Sequence, residues 1–207
     1  TQHCLELIHN DRRFSLEDLA ESKFSLKMLL ADRVKPDLIR ALENSDLDDE
    51  GQGALAVLKA WENDTAAESV GAVLFETWWH LYRKGENVFA EDWDEAKPDT
   101  TPVGIGDPAR AVESLIEAMA QTKAQWGSWQ VAWGDVHRIR RGNVDLPVSG
   151  GDGDLGCFRV CDFTEGDDGL REMNGGDGYV FAVEFGETPR AYSVLAYSQS
   201  GRPDSPH

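Results

Sequence analysis

Along the first 125 or so residues, apolar side chains recur every three or four positions, a rhythm that predicts a succession of helices. Ser15 stands before Leu16-Glu17-Asp18 as an N-cap with acids in the first turn, and Leu19, Leu26, Leu29 and Leu30 then mark one face. A helix of about five turns is expected there. Pro36 suits the first position of a second helix carrying Leu38, Ile39 and Leu42. After an acidic break at 43–50, Leu55, Val57, Leu58 and Trp61 predict a short third helix. Val70, Val73, Leu74, Thr77, Trp78 and Leu81 predict a fourth over 66–83, with Trp78 packed in the core rather than serving as a ligand box. Residues 84–106 hold Gly85, Pro98, Pro102, Gly104 and Gly106 with little periodicity, which reads as a long surface connection. Asp107-Pro108 then opens a fifth helix through Val112, Leu115, Ile116 and Met119, ending near Gly127.

From Gly127 the pattern changes. Glycine becomes dense, and the runs 179–185 and 190–197 read as strands joined by Gly186-Glu187-Thr188-Pro189 in a hairpin. The expected fold class is therefore α+β, with a mainly helical part at 1–126 and a sheet-forming part at 127–207. No internal repeat or Ser/Gly linker separates them, so they read as two parts of one unit. Val194, Leu195 and Ala196 run into a turn punctuated by Gly201, Pro203 and Pro206, and a strand that stops in half a turn predicts a segment cut from a longer chain.

Thirty-eight Asp and Glu against twenty Lys and Arg leave a formal charge of −18, with no basic block to neutralise phosphates. Nucleic acid and anionic membrane are not expected partners. The acids group at Glu43, Asp46, Asp48, Asp49 and Glu50, at Glu91, Asp92, Asp94 and Glu95, and at Asp162, Glu165, Asp167 and Asp168, and read as a solvated surface. No run of about eighteen apolar residues exists to span a bilayer. The chain begins Thr-Gln-His-Cys without a basic-then-apolar leader, so a signal segment would lie upstream. Cys157 and Cys161 fall four apart in what reads as one strand, about 13 Å at roughly 3.3 Å per residue, beyond the ~7 Å limit for a disulfide. With Cys4 they are expected to be buried free thiols rather than a zinc site or a disulfide framework.

Residues 133–142, W-G-D-V-H-R-I-R-R-G, offer Asp135 and His137 as an acid/base pair and Arg138, Arg140 and Arg141 as a grip for a carboxylate. The plainer alternative is an Asp135–Arg138 ion pair under a loop. The stretch 150–156 lacks the Gly-Lys-Ser/Thr of a phosphate loop, and Asp152 and Asp154 are too few for calcium, so a Gly-rich turn near a cleft is expected, with no metal and no cofactor. Thr1 could act as a nucleophile through its own α-amine, but such a residue opens a strand, whereas Leu5 and Ile8 read as helical.

In combination, W-G-D-V-H-R-I-R-R-G, L-P-V-S-G-G-D-G-D-L-G and S-Q-S-G-R-P-D-S-P-H resemble the penicillin amidase family of N-terminal-nucleophile hydrolases, notably its acyl-homoserine-lactone and aculeacin acylase branch. The stretches 14–20 and 58–79 are similar to helices of that family. The resemblance implies membership of a larger αββα assembly, made as a zymogen and cut autocatalytically into two chains. By it, the nucleophilic serine, the following asparagine and the oxyanion-hole groups precede this segment. The chain would then be the C-terminal part of the second subunit, partnered by the alpha subunit and the N-terminal part of its own subunit, and exported to the periplasm or beyond. Its substrate would be a small acylated amine such as an acyl-homoserine lactone, a beta-lactam or a lipopeptide. Val183-Glu184-Phe185 is similar to a family strand carrying a buried carboxylate near the nucleophile, which makes Glu184 a supporting catalytic carboxylate or, alternatively, an outward residue on an ordinary hairpin. The family position is aspartate in many members. A competing reading is a non-catalytic binding or assembly module that retains the scaffold.

Overall fold

The computed structural model describes residues 2–8 and 11–195. Within them the helical part consists of α1 (Gln2–Ile8), α2 (Leu16–Lys23), α3 (Leu29–Glu43), α4 (Asp49–Ala60), α5 (Ala72–Tyr82) and α6 (Pro108–Trp126). A short α7 (Trp133–Val136) leads into the strands β1 (His137–Arg141), β2 (Val144–Pro147), β3 (Cys161–Glu165), β4 (Arg171–Gly176), β5 (Tyr179–Glu184) and β6 (Arg190–Leu195). The class is α+β, as the change of pattern at Gly127 predicts.

Start signals are largely where the sequence places them. Ser15 and Asp18 exchange side-chain and backbone hydrogen bonds as a capping box, and Asp107 accepts from the Arg110 N–H ahead of Pro108. Gly127 closes α6 in the left-handed conformation. Part of the acidic break at 43–50 turns out to be a helix start: Asp48 accepts from Gly51 N–H, and Asp49 and Glu50 occupy the first turn of α4.

Three expected helices are corrected. The first stops at Lys23 because residues 25–28 pair with other segments: Met28 N–H donates to Asn63 O at 2.7 Å, Thr65 N–H donates to Leu26 O at 2.9 Å, and Met28 bridges Cys157. Tertiary pairing overrides the continuing apolar rhythm. Pro36 lies inside α3 rather than opening a helix. The fourth helix begins at Ala72, not 66, because Val70 bridges Ala132 and Gly71 takes a φ of +110°. A Cβ at Gly71 would also stand 3.0 Å from Trp61 Cβ, so both the backbone and the space favour glycine.

Every residue of α5 except His80 and Leu81 is buried, which makes it the central rod of the core. Trp78 stacks on Tyr82 at 5.2 Å, and its indole N–H donates to Ala111 O at 2.9 Å, tying α5 to α6. The same apolar cluster takes in Trp129, Trp133, Val136, Leu155 and Cys157, so helices and sheet-forming segments share one core. The long connection at 84–106 runs over the surface and is pinned by Arg33, which donates to Asp99 O and Thr101 O. Behind α7, a four-stranded sheet has the order β2-β1-β4-β3, with β1 and β4 parallel and the other pairs antiparallel. The β5–β6 hairpin forms a separate two-stranded sheet resting on α2. Both its strands are present, but Phe185 joins the loop instead of β5.

Candidate functional site

The most concentrated polar chemistry inside the molecule joins α5 to the four-stranded sheet. Glu76 interrupts the apolar face of α5 and is 4% exposed. Parallel pairing sets His137 of β1 opposite Arg171 of β4, and this register brings both side chains to the Glu76 carboxylate. Arg171 Nη1 donates to Glu76 Oε2, while His137 Nε2 lies 3.4 Å from the same oxygen without hydrogen-bond geometry. The His137 ring is fully buried, stacked on Trp133 at 3.6 Å and 9°, with Phe163 edge-on at 4.6 Å. Its Nδ1 meets Trp133 O at 3.1 Å, so the two ring nitrogens face two acceptors. Arg171 lies 5.6 Å above the Trp126 ring.

Burial alone would raise the Glu76 pKa, but Arg171, followed by His137 and His80, outweighs it and brings the carboxyl down to about 2. His80, one turn further along α5, has its pKa lowered mainly by burial. The cluster is a charge-compensated staple between helix and sheet. Glu76 and His137 lie inside the core, while the Arg171 side chain is 20% exposed.

The residues of 133–142 do not assemble as expected. Asp135 is exposed and pairs neither with His137 nor with Arg138; His137 turns inward to Glu76, and Arg138 Nε bonds Asp145 Oδ1 at 2.7 Å. Arg140 spreads over Asp145, Asp168 and Glu172, and Arg141 is exposed. Two of the three arginines are thus committed to acids of their own surface rather than to a bound carboxylate. The physical reason is a two-residue turn at Gly142-Asn143, which folds β2 back on β1 and delivers Asp145 to both Arg138 and Arg140.

The glycine-rich turn serves packing. Gly150 adopts a φ of +105°, and a Cβ there would approach Cys161 Sγ at 2.9 Å; one at Gly151 would meet Cys157 Sγ at 3.0 Å. Asp152 caps the short 3-10 turn Gly153–Leu155, and Asp154 is exposed with Arg83 3.6 Å away. Cys157 and Cys161 do not share a strand, because the chain bends at 158–159 before β3 begins. Both are buried free thiols; burial pushes Cys157 up to about 12 and raises Cys161 as well. Cys4 is free and only half-buried. Among the described residues no helix is long and apolar enough to cross a membrane. Thr1 and the S-Q-S-G-R-P-D-S-P-H stretch lie outside the described residues.

Glu184 closes β5 on the surface. It is about half-exposed, at 46%, and accepts from Arg190 Nε at 2.8 Å, while Arg190 Nη1 reaches Glu17 of α2 at 3.1 Å. Beside this latch, α1 and α2 and the hairpin enclose an apolar cavity of about 330 Å³ walled by Phe14, Leu19, Phe24, Phe158 and Tyr192. Lys23 stands at its edge, bonded to Asp177 and to Phe158 O at 2.7 Å each.

Sequence reasoning missed Glu76 and Arg171. The available signal was the acid itself, a lone carboxylate in the run V-L-F-E-T-W-W, where an uncompensated charge could not be buried.

A sequence model of the penicillin amidase family matches residues 1–207. The acyl-homoserine lactone acylase PvdQ of Pseudomonas fluorescens strain Pf-5 is 32% identical over 99% of this chain and 27% of its own length. The protein of the same name from strain Pf0-1 is 28% identical over 92% of the chain, and the aculeacin-A acylase of Actinoplanes utahensis is 28% identical over 93%. The chain spans about a quarter of the length of these relatives. Carried by a match along its whole length, the chain belongs to the penicillin amidase family.

Proposed function

We propose that this chain is the C-terminal part of the second subunit of an amide hydrolase that removes an acyl chain from an amine such as an acyl-homoserine lactone, a beta-lactam or a lipopeptide. The observation that carries the reading is the full-length family match, together with relatives named as acylases that are about four times as long. In this reading the attacking group is an N-terminal serine elsewhere in the parent protein, exposed by autocatalytic cleavage of a zymogen. Its α-amine takes the hydroxyl proton, and an oxyanion hole outside this segment stabilises the tetrahedral intermediate. The parent is exported to the periplasm or beyond, and its action on lactone signals would quench quorum sensing.

The chemistry of this chain supports that division of labour. Its buried thiols are held protonated, and His137 and Glu76 are both buried, so neither set offers a nucleophile to solvent. The segment supplies scaffold and part of the cleft wall. Glu184 acts as a supporting carboxylate toward the nucleophile end of the site, with Arg190 fixing its orientation.

Hydrolysis of an N-acyl anilide tests both levels. The parent protein is expected to release the aniline and the 207-residue chain alone is not; turnover by the chain alone would refute the division. In the parent, Glu184→Gln is expected to lower kcat by more than about twofold, and a smaller effect would remove Glu184 from the mechanism.

A further inference from the structure

Three chemistry-bearing side chains meet where α1 lies against the end of α2. His3 of α1 is 2% exposed. Its Nε2 stands 3.1 Å from Ser25 Oγ, and its Nδ1 stands 3.3 Å from Glu6 Oε2. A carboxylate only accepts, so Glu6 takes the Nδ1 proton and leaves the Nε2 lone pair to the Ser25 hydroxyl. Hydroxyl, imidazole and carboxylate in that order are the arrangement that activates a serine: a base within hydrogen-bond reach, itself oriented by a third group. Local sequence sets half of it, since His3 and Glu6 fall at i and i+3 on one helical face.

Both halves are held by contacts outside the constellation. Gln2, beside His3, donates to Thr101 O and accepts from Arg33 Nη1, each at 2.7 Å, which fixes α1 against the long connection. Ser25 N–H donates to Ser22 O at 3.2 Å, and Leu26 O accepts from Thr65 N–H at 2.9 Å, which fixes the segment after α2. Lys27 ties the two together: its main-chain N–H lies 3.4 Å from Ser25 Oγ, and its Nζ lies 3.4 Å from Glu6 Oε2. The group borders the apolar cavity. Cys4, next to His3, and Phe24, next to Ser25, belong to the cavity wall, and Phe158 of that wall meets the His3 ring edge-on with centroids 6.2 Å apart.

We propose that Ser25, His3 and Glu6 form a nucleophilic site of this chain's own, which cleaves carboxylic esters of short apolar acids. Ser25 Oγ attacks the ester carbonyl and forms the new C–O bond as its proton passes to His3 Nε2. The bond to the alcohol oxygen then breaks, and the alcohol leaves with that proton. Water, deprotonated by the same imidazole, splits the acyl-serine to the acid and returns the proton to Ser25. Glu6 acts through His3, as a positioning residue. The apolar wall suits the hydrocarbon of the acyl group. With the Lys27 N–H as the main-chain donor at the hydroxyl, an ester with a good leaving group is the fitting substrate, because an amide demands fuller stabilisation of its oxyanion and a proton for its amine.

Labelling the parent protein with a fluorophosphonate, followed by mass spectrometry of the peptide that carries Ser25, reads this site residue by residue, whatever other serine reacts. Ser25 is expected to be phosphonylated, and an unlabelled Ser25 would overturn the proposal. His3→Ala is expected to slow its labelling at least about a hundredfold, and added imidazole to restore at least about tenfold of that loss, a rescue that damage to the fold would not allow. Equal labelling in wild type and His3→Ala would reduce Ser25 to an accessible hydroxyl and refute the site. Glu6→Gln, at a half-exposed position, is expected to lower the limiting labelling rate about tenfold with the half-saturating concentration within about twofold; a change in that concentration alone would remove Glu6 from its role. Excess p-nitrophenyl butyrate is expected to slow labelling of Ser25 at least about fivefold and butyranilide to leave it unchanged, whereas equal competition by the anilide would overturn the assignment to esters. Anilide turnover by the same wild-type sample scores the acylase reading independently of the label on Ser25.

Discussion

Replacing Glu76 by Gln tests whether the buried staple stabilises the fold as its geometry implies. The substitution keeps shape and volume but leaves Arg171 and His137 facing a neutral amide inside the core. The carboxyl titrates at about 2 in the folded chain against an ordinary 4.5. That gap, at about 1.4 kcal/mol for each pH unit, amounts to about 3 kcal/mol of stability near neutral pH. Breaking one side of a buried ion pair costs a similar amount, about 3 to 5 kcal/mol. In a domain of this size it corresponds to a melting temperature lower by roughly 6 to 12 °C.

The pH dependence carries the sign of a depressed acid. Because the folded pKa lies below the unfolded one, the contribution is complete above about 4.5 and disappears as pH falls through about 2. Urea unfolding followed by tryptophan fluorescence, with Trp126 and Trp133 beside the cluster, measures both. The difference between wild type and Glu76→Gln is expected to be about 3 kcal/mol at pH 6 and to shrink steadily toward pH 2. A difference below about 1 kcal/mol at pH 6, or one that stays constant down to pH 2.5, would refute the assignment of a paired, ionised Glu76.

Two further outcomes follow from local structure. Asp48→Ala removes the oxygen that accepts the Gly51 N–H at the head of α4, and thermal or urea unfolding is expected to register a loss of about 1 kcal/mol, with Asp48→Asn retaining most of the stability. A thiol reagent at pH 8 is expected to modify at most Cys4 in the folded chain and all three cysteines in denaturant, because burial holds Cys157 protonated and covers Cys161; rapid native labelling of Cys157 would contradict its placement.

Local signals in the sequence carry much of the helical part. Ser15, Asp107-Pro108 and Gly127 mark helix ends through capping chemistry that depends only on neighbouring residues, and the structure has ends at all three. The rhythm fails where a distant segment competes. Residues 25–28 carry the apolar spacing of a helix, yet they pair with residues 63–65 and Cys157, and Val70 pairs with Ala132. Nothing within a window of local sequence encodes those partners. The same holds for the candidate chemistry. His137 is visible as a candidate residue, but its neighbour in sequence, Asp135, is exposed to solvent, and the carboxylate that it faces lies sixty-one positions earlier on α5. A lone acid in an apolar helix says that a cation must come, without saying from where.

Among the described residues, three of the stretches that carry the resemblance, 58–79, 133–142 and 146–156, converge in space, and their convergence explains why they identify the fold better than the chemistry. Glu76 comes from the 58–79 stretch, and Trp133 and His137 come from 133–142. The Trp133 indole N–H donates to Gly150 O at 3.0 Å, which brings in the glycine turn, whose tight backbone approach admits Cys157 and Cys161 behind it. Most polar groups in this knot are met by another member: carboxylate by guanidinium, indole N–H by carbonyl, imidazole Nδ1 by carbonyl. Buried groups matched in this way are costly to change one at a time, because any single replacement strands a partner in low dielectric. Such a knot can therefore persist in a family whatever amide its members cleave.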